Sequence, residues 1–383
     1  MTTSRRTSRW FGALTASLVI GLQSLPASAQ SITPDQLLQR LSGQASTQGF
    51  TGKRTLKVYR QNSNPLVATA NITFADRNNY DLKITSPASI SGVQFNMQQG
   101  VNSAFFPDEK LFLVNGGQNT SYMPERIILS LFSPRTDLLK NNYEIKVLKD
   151  DLLNGVHAYL VEFVPRHRTV LSDEKTAVAQ VPRRRYWLDK NSLQVLKENR
   201  YWDELQPDGS WKFSDSPYAE SWYDIYSPGP KPAIPALQPT GAVNKVNLSG
   251  QEKNSFLTYK TTAEAATKGI RVTLPTYLPK GFVLKDIQIF TLFGAQIQVL
   301  NYTDGLNDLM ITIRPQQNAF VTLMAGAFSL NLIKKITDLS HQAPNNYYSN
   351  ASNNHIAVVF GDVMPVELER VASTLSLPAV ASR

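Results

Sequence analysis

Cysteine is absent from all 383 residues. That excludes a disulfide framework, a thiolate metal site and a lipid-modified N-terminal cysteine. Histidine is scarce: His157, His167, His341 and His355 are the four, and no two have metal-ligand spacing. A zinc site would need three or four ligands converging from separate elements. The G-x-S-x-G, P-loop and G-x-G-x-x-G patterns are missing as well. Two adjacent acidic pairs occur, Asp150-Asp151 and Asp203-Glu204. Neighbours on a strand point to opposite faces, so neither pair can act jointly as glycosidase carboxylates do. No catalytic constellation remains, and no cofactor or metal is implied. Long apolar runs are also missing. The best, Trp10 to Leu25, is too short and too rich in Ser, Thr and Gly for a span of about 20 apolar residues.

That run reads instead as a secretory signal. Arg5, Arg6 and Arg9 precede it, and Ala27-Ser28-Ala29 supplies small residues for cleavage before Gln30. Export by the general or the twin-arginine route stays open, although Ser8 stands where the second signal usually has a bulky residue. The expected mature protein is periplasmic and free of a membrane anchor. The net charge of +9 stays positive once the signal is removed. It suits either an ordinary basic surface or attraction to anionic headgroups and acidic segments. Nucleic acid is not an expected partner of an exported protein. A hydrophobic fraction of 42% can supply a sizeable core, and the length favours two domains.

Thr33-Pro34-Asp35 opens a helix striped by Leu37, Leu38 and Leu41. Strand-like runs follow at 52–59, 67–74, 80–85, 102–106 and 110–114, as in an antiparallel meander. The period then changes. Residues 123–132 read as a helix apolar nearly all round, with a short helix at 134–140 behind it. The first either plugs the curve of the sheet or closes over a ligand as a lid. Strands resume at 143–148 and 158–164. Residues 166–182 lack a clear period and read as a long loop. Tyr186-Trp187-Leu188 and Leu193 to Leu196 flank a polar Asp-Lys-Asn-Ser turn and mark a hairpin. A strand near 219–226 closes the first domain.

Five prolines between Pro228 and Pro239 mark a stiff connector. Beyond it come a helix at 262–268 and strands at 282–291, 296–303, 309–314, 330–336 and 355–360. Pro365 opens a last helix with Leu368, Val371, Ala372 and Leu375 on one face. The expected division is a signal at 1–29, a first domain at 30–226, a linker at 227–252 and a small α+β domain at 253–378.

Three short motifs in the first domain carry a resemblance: Gly49-Phe50-Thr51-Gly52, Asn154-Gly155-Val156-His157-Ala158-Tyr159 and Arg185-Tyr186-Trp187-Leu188-Asp189. In order and spacing they resemble the lipoprotein-carrier superfamily of LolA and LolB, and its MucB/RseB branch. In the second domain Leu278-Pro279-Lys280-Gly281-Phe282, Tyr302-Thr303-Asp304-Gly305 and Val358-Val359-Phe360-Gly361-Asp362 are similar to the small domain of MucB/RseB-type regulators. The resemblance implies an α+β fold: a curved antiparallel half-barrel with helices on its concave side, then a smaller domain. It implies a non-enzymatic periplasmic protein that binds the periplasmic segment of a membrane-bound anti-sigma factor. Such a protein regulates an extracytoplasmic sigma factor and responds to lipid or lipopolysaccharide. The alternative is a lipid or lipoprotein carrier of the cell envelope.

Phe95, Phe105, Phe112, Ile127, Ile128, Leu131, Phe132 and Trp187 are the expected lining of an apolar cavity. Arg166 and Arg168 at one end of the 166–182 loop, and Arg183 and Arg185 at the other, meet at one rim if the loop joins adjacent strands. They form either a site for an anionic partner or a solvated strand end paired with local acids.

Overall fold

The Thr33 hydroxyl accepts from the Gln36 amide at 3.2 Å, and the Gln36 side chain accepts from the Thr33 amide at 2.9 Å. This reciprocal cap, followed by proline, starts helix α1 (Pro34–Gly43). Leu37, Leu38 and Leu41 are buried along it, as their spacing predicts. The computed structural model of the chain describes residues 32–43, 48–60, 63–76, 78–115, 135–170, 177–206, 208, 210–251, 254–292, 295–315, 347–352 and 355–377. The expected helix at 123–132 and strand at 330–336 lie outside them.

A meander follows α1: β1 (Gly49–Arg60), β2 (Ser63–Asp76), β3 (Asn79–Ser86), β4 (Gln94–Gln98), β5 (Val101–Phe106) and β6 (Leu111–Asn115). Helix α2 (Thr136–Asn142) leads into β7 (Tyr143–Leu153) and β8 (Val156–Pro165). Asn154 and Gly155 join those two strands with φ of 52° and 80°. Two residues of positive φ make the turn whose twist matches a hairpin. Next come short β9 (Arg168–Val170) and β10 (Ala177–Ala179), then β11 (Arg183–Asp189) and β12 (Val195–Tyr201). In the turn after β11, the Asp189 carboxylate accepts from the Asn191 amide and the Ser192 hydroxyl, both at 2.8 Å. After β13 (Glu204–Leu205) and β14 (Trp211–Lys212), β15 (Ala219–Gly229) returns beside β1.

The segment 166–182, read as a loop, is thus partly strand. β9 and β10 pair with each other and continue through β13 and β14 as a small four-stranded sheet. Strands of two or three residues show no readable period. The proline-rich segment also holds more structure than a connector. The Asn96 amide donates to the Pro235 carbonyl at 3.0 Å, and the Gln98 amide donates to the Ile234 carbonyl at 2.9 Å. Ile234 and Leu237 are buried. Beyond them β16 (Asn244–Asn247) pairs in parallel with β6. Among the described residues the large sheet is therefore twelve strands wide, in the order β16-β6-β5-β4-β3-β2-β1-β15-β12-β11-β8-β7, open and otherwise antiparallel.

Alternation assigns its two faces. Tyr80, Leu82 and Ile84 of β3, Phe95 and Met97 of β4, and Phe106 of β5 point into one apolar cluster. Val161, Phe163, Tyr186, Leu188 and Val195 share another with the leucines of α1. Asn96 and Gln98 lie on the reverse side, so the proline segment straps the back of the sheet.

Among the described residues beyond β16, a seven-stranded sheet forms from β17 (Ser249–Gln251), β18 (Asn254–Tyr259), β19 (Val283–Leu292), β20 (Ala295–Thr303), β21 (Asp308–Pro315), β22 (Tyr347–Ser352) and β23 (His355–Gly361). Helices α3 (Thr262–Ala266) and α4 (Pro365–Ser373) accompany it. One cluster spans both sheets: Leu37, Tyr143, Phe163 and Tyr186 join Ile287, Leu300, Ile311, Val359 and Leu368. Phe256 of β18 likewise enters the cluster of β3 to β6. Ile32–Arg383 is one compact unit. The chain is an α+β protein built on an open, curved half-barrel, with α1 on the inner face.

Candidate functional site: a polar seam between two sheets

Two polar patches fasten the second sheet to the half-barrel, and a third fastens its helix α4 to the small four-stranded sheet. The first centres on Asp362, which follows β23. Its carboxylate meets Arg184 of β11 at 2.6 Å, Arg200 of β12 at 3.1 Å and the Tyr218 hydroxyl at 2.6 Å. Glu198 completes the network at 2.6 Å from Arg184 and 2.9 Å from Arg200. Asn307 also accepts from Arg184. All of these groups except Tyr218 are buried, and Tyr218 is half-buried. Burial by itself would raise the Glu198 carboxyl. The Arg200 and Arg184 guanidiniums beside it outweigh that and hold it far below the usual carboxylate range.

The second patch is built on a tight turn. Asp304 accepts from the amides of Leu306 at 2.9 Å and Asn307 at 2.7 Å, and from the Tyr143 hydroxyl. The Asn142 amide donates to the carbonyls of Asp304 at 2.7 Å and Gly281 at 3.1 Å. Here burial prevails over these hydrogen bonds and raises the Asp304 carboxyl. Burial, reinforced by Asp304, also raises the Tyr143 phenol. Gly281 has φ of 89°, and a Cβ there would lie 2.4 Å from the Asn142 Oδ1. Gly305 has φ of 103°, and its Cβ would meet Leu138 at 2.9 Å. Both motif glycines therefore sit where α2 and the strand after it press on the second sheet.

The third patch joins β9 and β10 to α4. Glu367 accepts from Thr169 and Tyr277, and Arg370 lies 2.9 Å from it. The Met364 amide donates to the Gln180 carbonyl at 3.0 Å, and the Gln180 side chain donates to the Lys280 carbonyl at 3.0 Å.

The expected arginine site changes character. Arg183 is fully buried, with Asp203 and Glu162 each at 2.7 Å and the Ser214 carbonyl at 2.7 Å. Arg185 shares Glu162 at 2.6 Å. Neither charge is available to an anionic partner, because local carboxylates neutralise both. Arg166 and Arg168 are exposed, and Arg166 donates to the Tyr143 carbonyl at 3.0 Å. The four do not form one basic rim. Arg184, which alternation sets on the opposite face, is the one that reaches the seam. Its value was missed because its partner Asp362 is distant in sequence.

The expected cavity lining is also divided. Phe95 is fully buried on the inner face, edge-to-face with Phe106 at 6.0 Å. Phe105 and Phe112 face each other across β5 and β6 on the reverse side, beside Lys245. Trp187 also lies there: its indole donates to Asp151 at 2.9 Å, and the Lys197 ammonium sits 5.0 Å from its ring. Residues on opposite faces of one sheet cannot line one cavity. Ile127, Ile128, Leu131 and Phe132 lie outside the described residues. Among the described residues no group of three or more side chains could hold a metal ion, and no helix is long and apolar enough to cross a membrane.

No family model and no curated protein sequence matches the chain. Solved structures do. MucB is similar at 16% identity with a TM-score of 0.51, covering 91% of this chain and 98% of MucB. The Pseudomonas aeruginosa MucA/MucB complex is similar at 14% identity with a TM-score of 0.48, covering 90% of this chain and 98% of the other. A LolA superfamily protein from Nitrosomonas europaea follows at 11% identity and a TM-score of 0.24, covering 54% of this chain and 96% of that one. At such identities the likeness is one of fold, and this chain is similar to MucB in fold over nearly its whole length.

Proposed function

We propose that this chain is an exported, non-enzymatic regulator of the cell envelope that holds the periplasmic segment of a membrane-anchored anti-sigma factor. The observation that carries the reading is the second sheet, fastened to the half-barrel by two buried patches and to the four-stranded sheet by a third, in a fold similar to that of MucB. A carrier of lipid or lipoprotein needs only a half-barrel with room inside. Here Phe95, Leu82, Phe163 and Leu188 fill the inner face together with the chain's own α1 and second sheet. MucB has been solved together with MucA, and that pairing supports a peptide-like partner for the present chain. The N-terminal pattern of a secretory signal supports work outside the cytoplasm.

The test is capture of the mature protein from solubilised membranes of its own source, followed by native mass spectrometry of what is retained. A single-span protein with an anti-sigma cytoplasmic part is the expected partner. Retention of acyl chains or lipoproteins without such a protein would replace this reading with the carrier.

A further inference from the structure

An indole on the solvated side of a sheet calls for a reason, because so large an apolar ring is better placed in a core. Trp187 of β11 and Trp222 of β15 both lie on the reverse face of the half-barrel, away from α1 and the seam. Lys197 of β12 stands between them, directly opposite Trp187 on one side and Trp222 on the other. Residues directly opposite on neighbouring strands share a face. Both indoles are half-buried, and neither joins an apolar cluster among the described residues. Each is held by its edge instead. The Trp187 N–H donates to Asp151 at 2.9 Å, and the Trp222 N–H donates to Asp224 at 2.8 Å. Asp224 also accepts from the Thr55 hydroxyl. Beyond Trp222 the row continues through Thr55 and Thr69, which stand opposite each other, to Thr85, whose hydroxyl lies 2.6 Å from that of Thr69. Charges along the row offset one another: Lys197 is 3.6 Å from Glu220, and Lys149 is 3.8 Å from Asp151.

Two strand spacings, about 10 Å, separate the backbones that carry the two indoles. That matches the advance of one disaccharide along a straight β-1,4-linked glycan. We infer that this row binds an extended β-1,4-linked glycan of uncharged sugars, laid across the strands with one sugar on Trp187 and the next but one on Trp222. The C–H face of a pyranose ring presents weakly positive hydrogens to the negative face of an aromatic ring. The sugar between the two indoles lies over Lys197 and Glu220, which supply a donor and an acceptor for its hydroxyls. Thr55, Thr69 and Thr85 offer more of both beyond Trp222. The balanced charge favours a neutral polyol over an anionic polymer, which would find no excess of cations in the row. The bonds to Asp151 and Asp224 fix the rings before a ligand arrives, so little ordering is left to oppose binding. The site lies on the opposite face of the sheet from the seam, and it does not rest on the proposed partner.

The experiment is titration calorimetry of the full mature chain with β-1,4-linked hexamers of glucose and of N-acetylglucosamine. The disaccharide of each, maltohexaose and β-1,4-linked hexaglucuronate are run beside them. At least one uncharged β-1,4 hexamer should bind, and the tighter of the two names the sugar. Its disaccharide cannot span both indoles and should bind about tenfold more weakly or worse, since the second contact is lost. Maltohexaose, whose α-linkage curves the chain, and the charged hexaglucuronate should bind more weakly than that hexamer. Trp187→Ala and Trp222→Ala should each weaken the hexamer about tenfold or more, the scale on which a stacking surface is lost when nucleobases are the ligand. Trp187→Phe and Trp222→Phe keep a ring and should retain part of the affinity. The site is overturned if neither uncharged hexamer binds the wild type, or if maltohexaose or hexaglucuronate binds as tightly. It is also overturned if the disaccharide matches its hexamer, or if both alanine variants bind as the wild type does. In that last case a lower melting temperature of the variants would assign the indoles a purely structural part.

Discussion

Gly281 and Gly155 share a backbone state but not a neighbourhood. Their φ values are 89° and 80°. A Cβ on Gly155 would meet nothing within 4 Å, whereas one on Gly281 would strike the Asn142 amide. Gly155→Ala should therefore cost only left-handed strain, about 1–2 kcal/mol. Gly281→Ala adds the Asn142 hydrogen bonds at about 1 kcal/mol each, for a total of about 3–4 kcal/mol. Urea unfolding of the two variants checks this, and equal losses would remove packing from the account. Leu37 gives a simpler case. It is fully buried beneath α1, so Leu37→Ala should cost about 2–5 kcal/mol by the same measurement.

At the scale of elements, the seam sets a dependence on pH. The Glu198 carboxyl is held far below its ordinary value of 4.5. A depressed acid contributes stability above its unfolded value, and that stability is lost as pH falls through the folded one. Asp304 has the opposite sign. Its raised carboxyl favours the fold below the ordinary value of 3.8, and that advantage fades as pH rises through the folded value. Glu198→Gln should thus flatten the loss of stability below about pH 4.5 while lowering stability at pH 7 by about 3–5 kcal/mol, because Arg184 and Arg200 are then left to share the single carboxylate of Asp362. Chemical denaturation across pH 3–8 reads both effects. Most of these elements were legible in sequence. The N-cap of α1, the hairpin around the turn at 189–192 and Pro365 at the start of α4 are local signals, and each formed where expected. β9, β10 and β16 were not legible, since runs of three or four residues carry no period. The pairing of Arg184 with Asp362 was hidden for a different reason. Alternation shows that a side chain faces inward, but not which distant carboxylate waits there.

Over the whole molecule, the expected boundary near 227–252 does not separate two cores. Tyr143, Phe163 and Tyr186 share one apolar cluster with Ile311, Val359 and Leu368. The described parts should accordingly unfold together, with one coincident transition by tryptophan fluorescence and circular dichroism. A chain ending at 251 would leave those residues bare and should be poorly soluble when expressed alone. Two well-separated transitions, or a soluble and fully folded fragment, would contradict the shared core.

The parallel pairing of β16 with β6 also bears on the order of events as the chain emerges. A chain that emerges from its N-terminus displays the free edge of β6 well before Asn244–Asn247 arrives to cover it. The proline strap must cross the back of the sheet first, and a pairing so distant in sequence closes slowly. During that interval the growing chain offers an unpaired strand edge to any other chain nearby. For the exported protein proposed above, secretion yield should therefore depend on how quickly the segment around residue 240 clears the export channel, rather than on the stability of the finished protein.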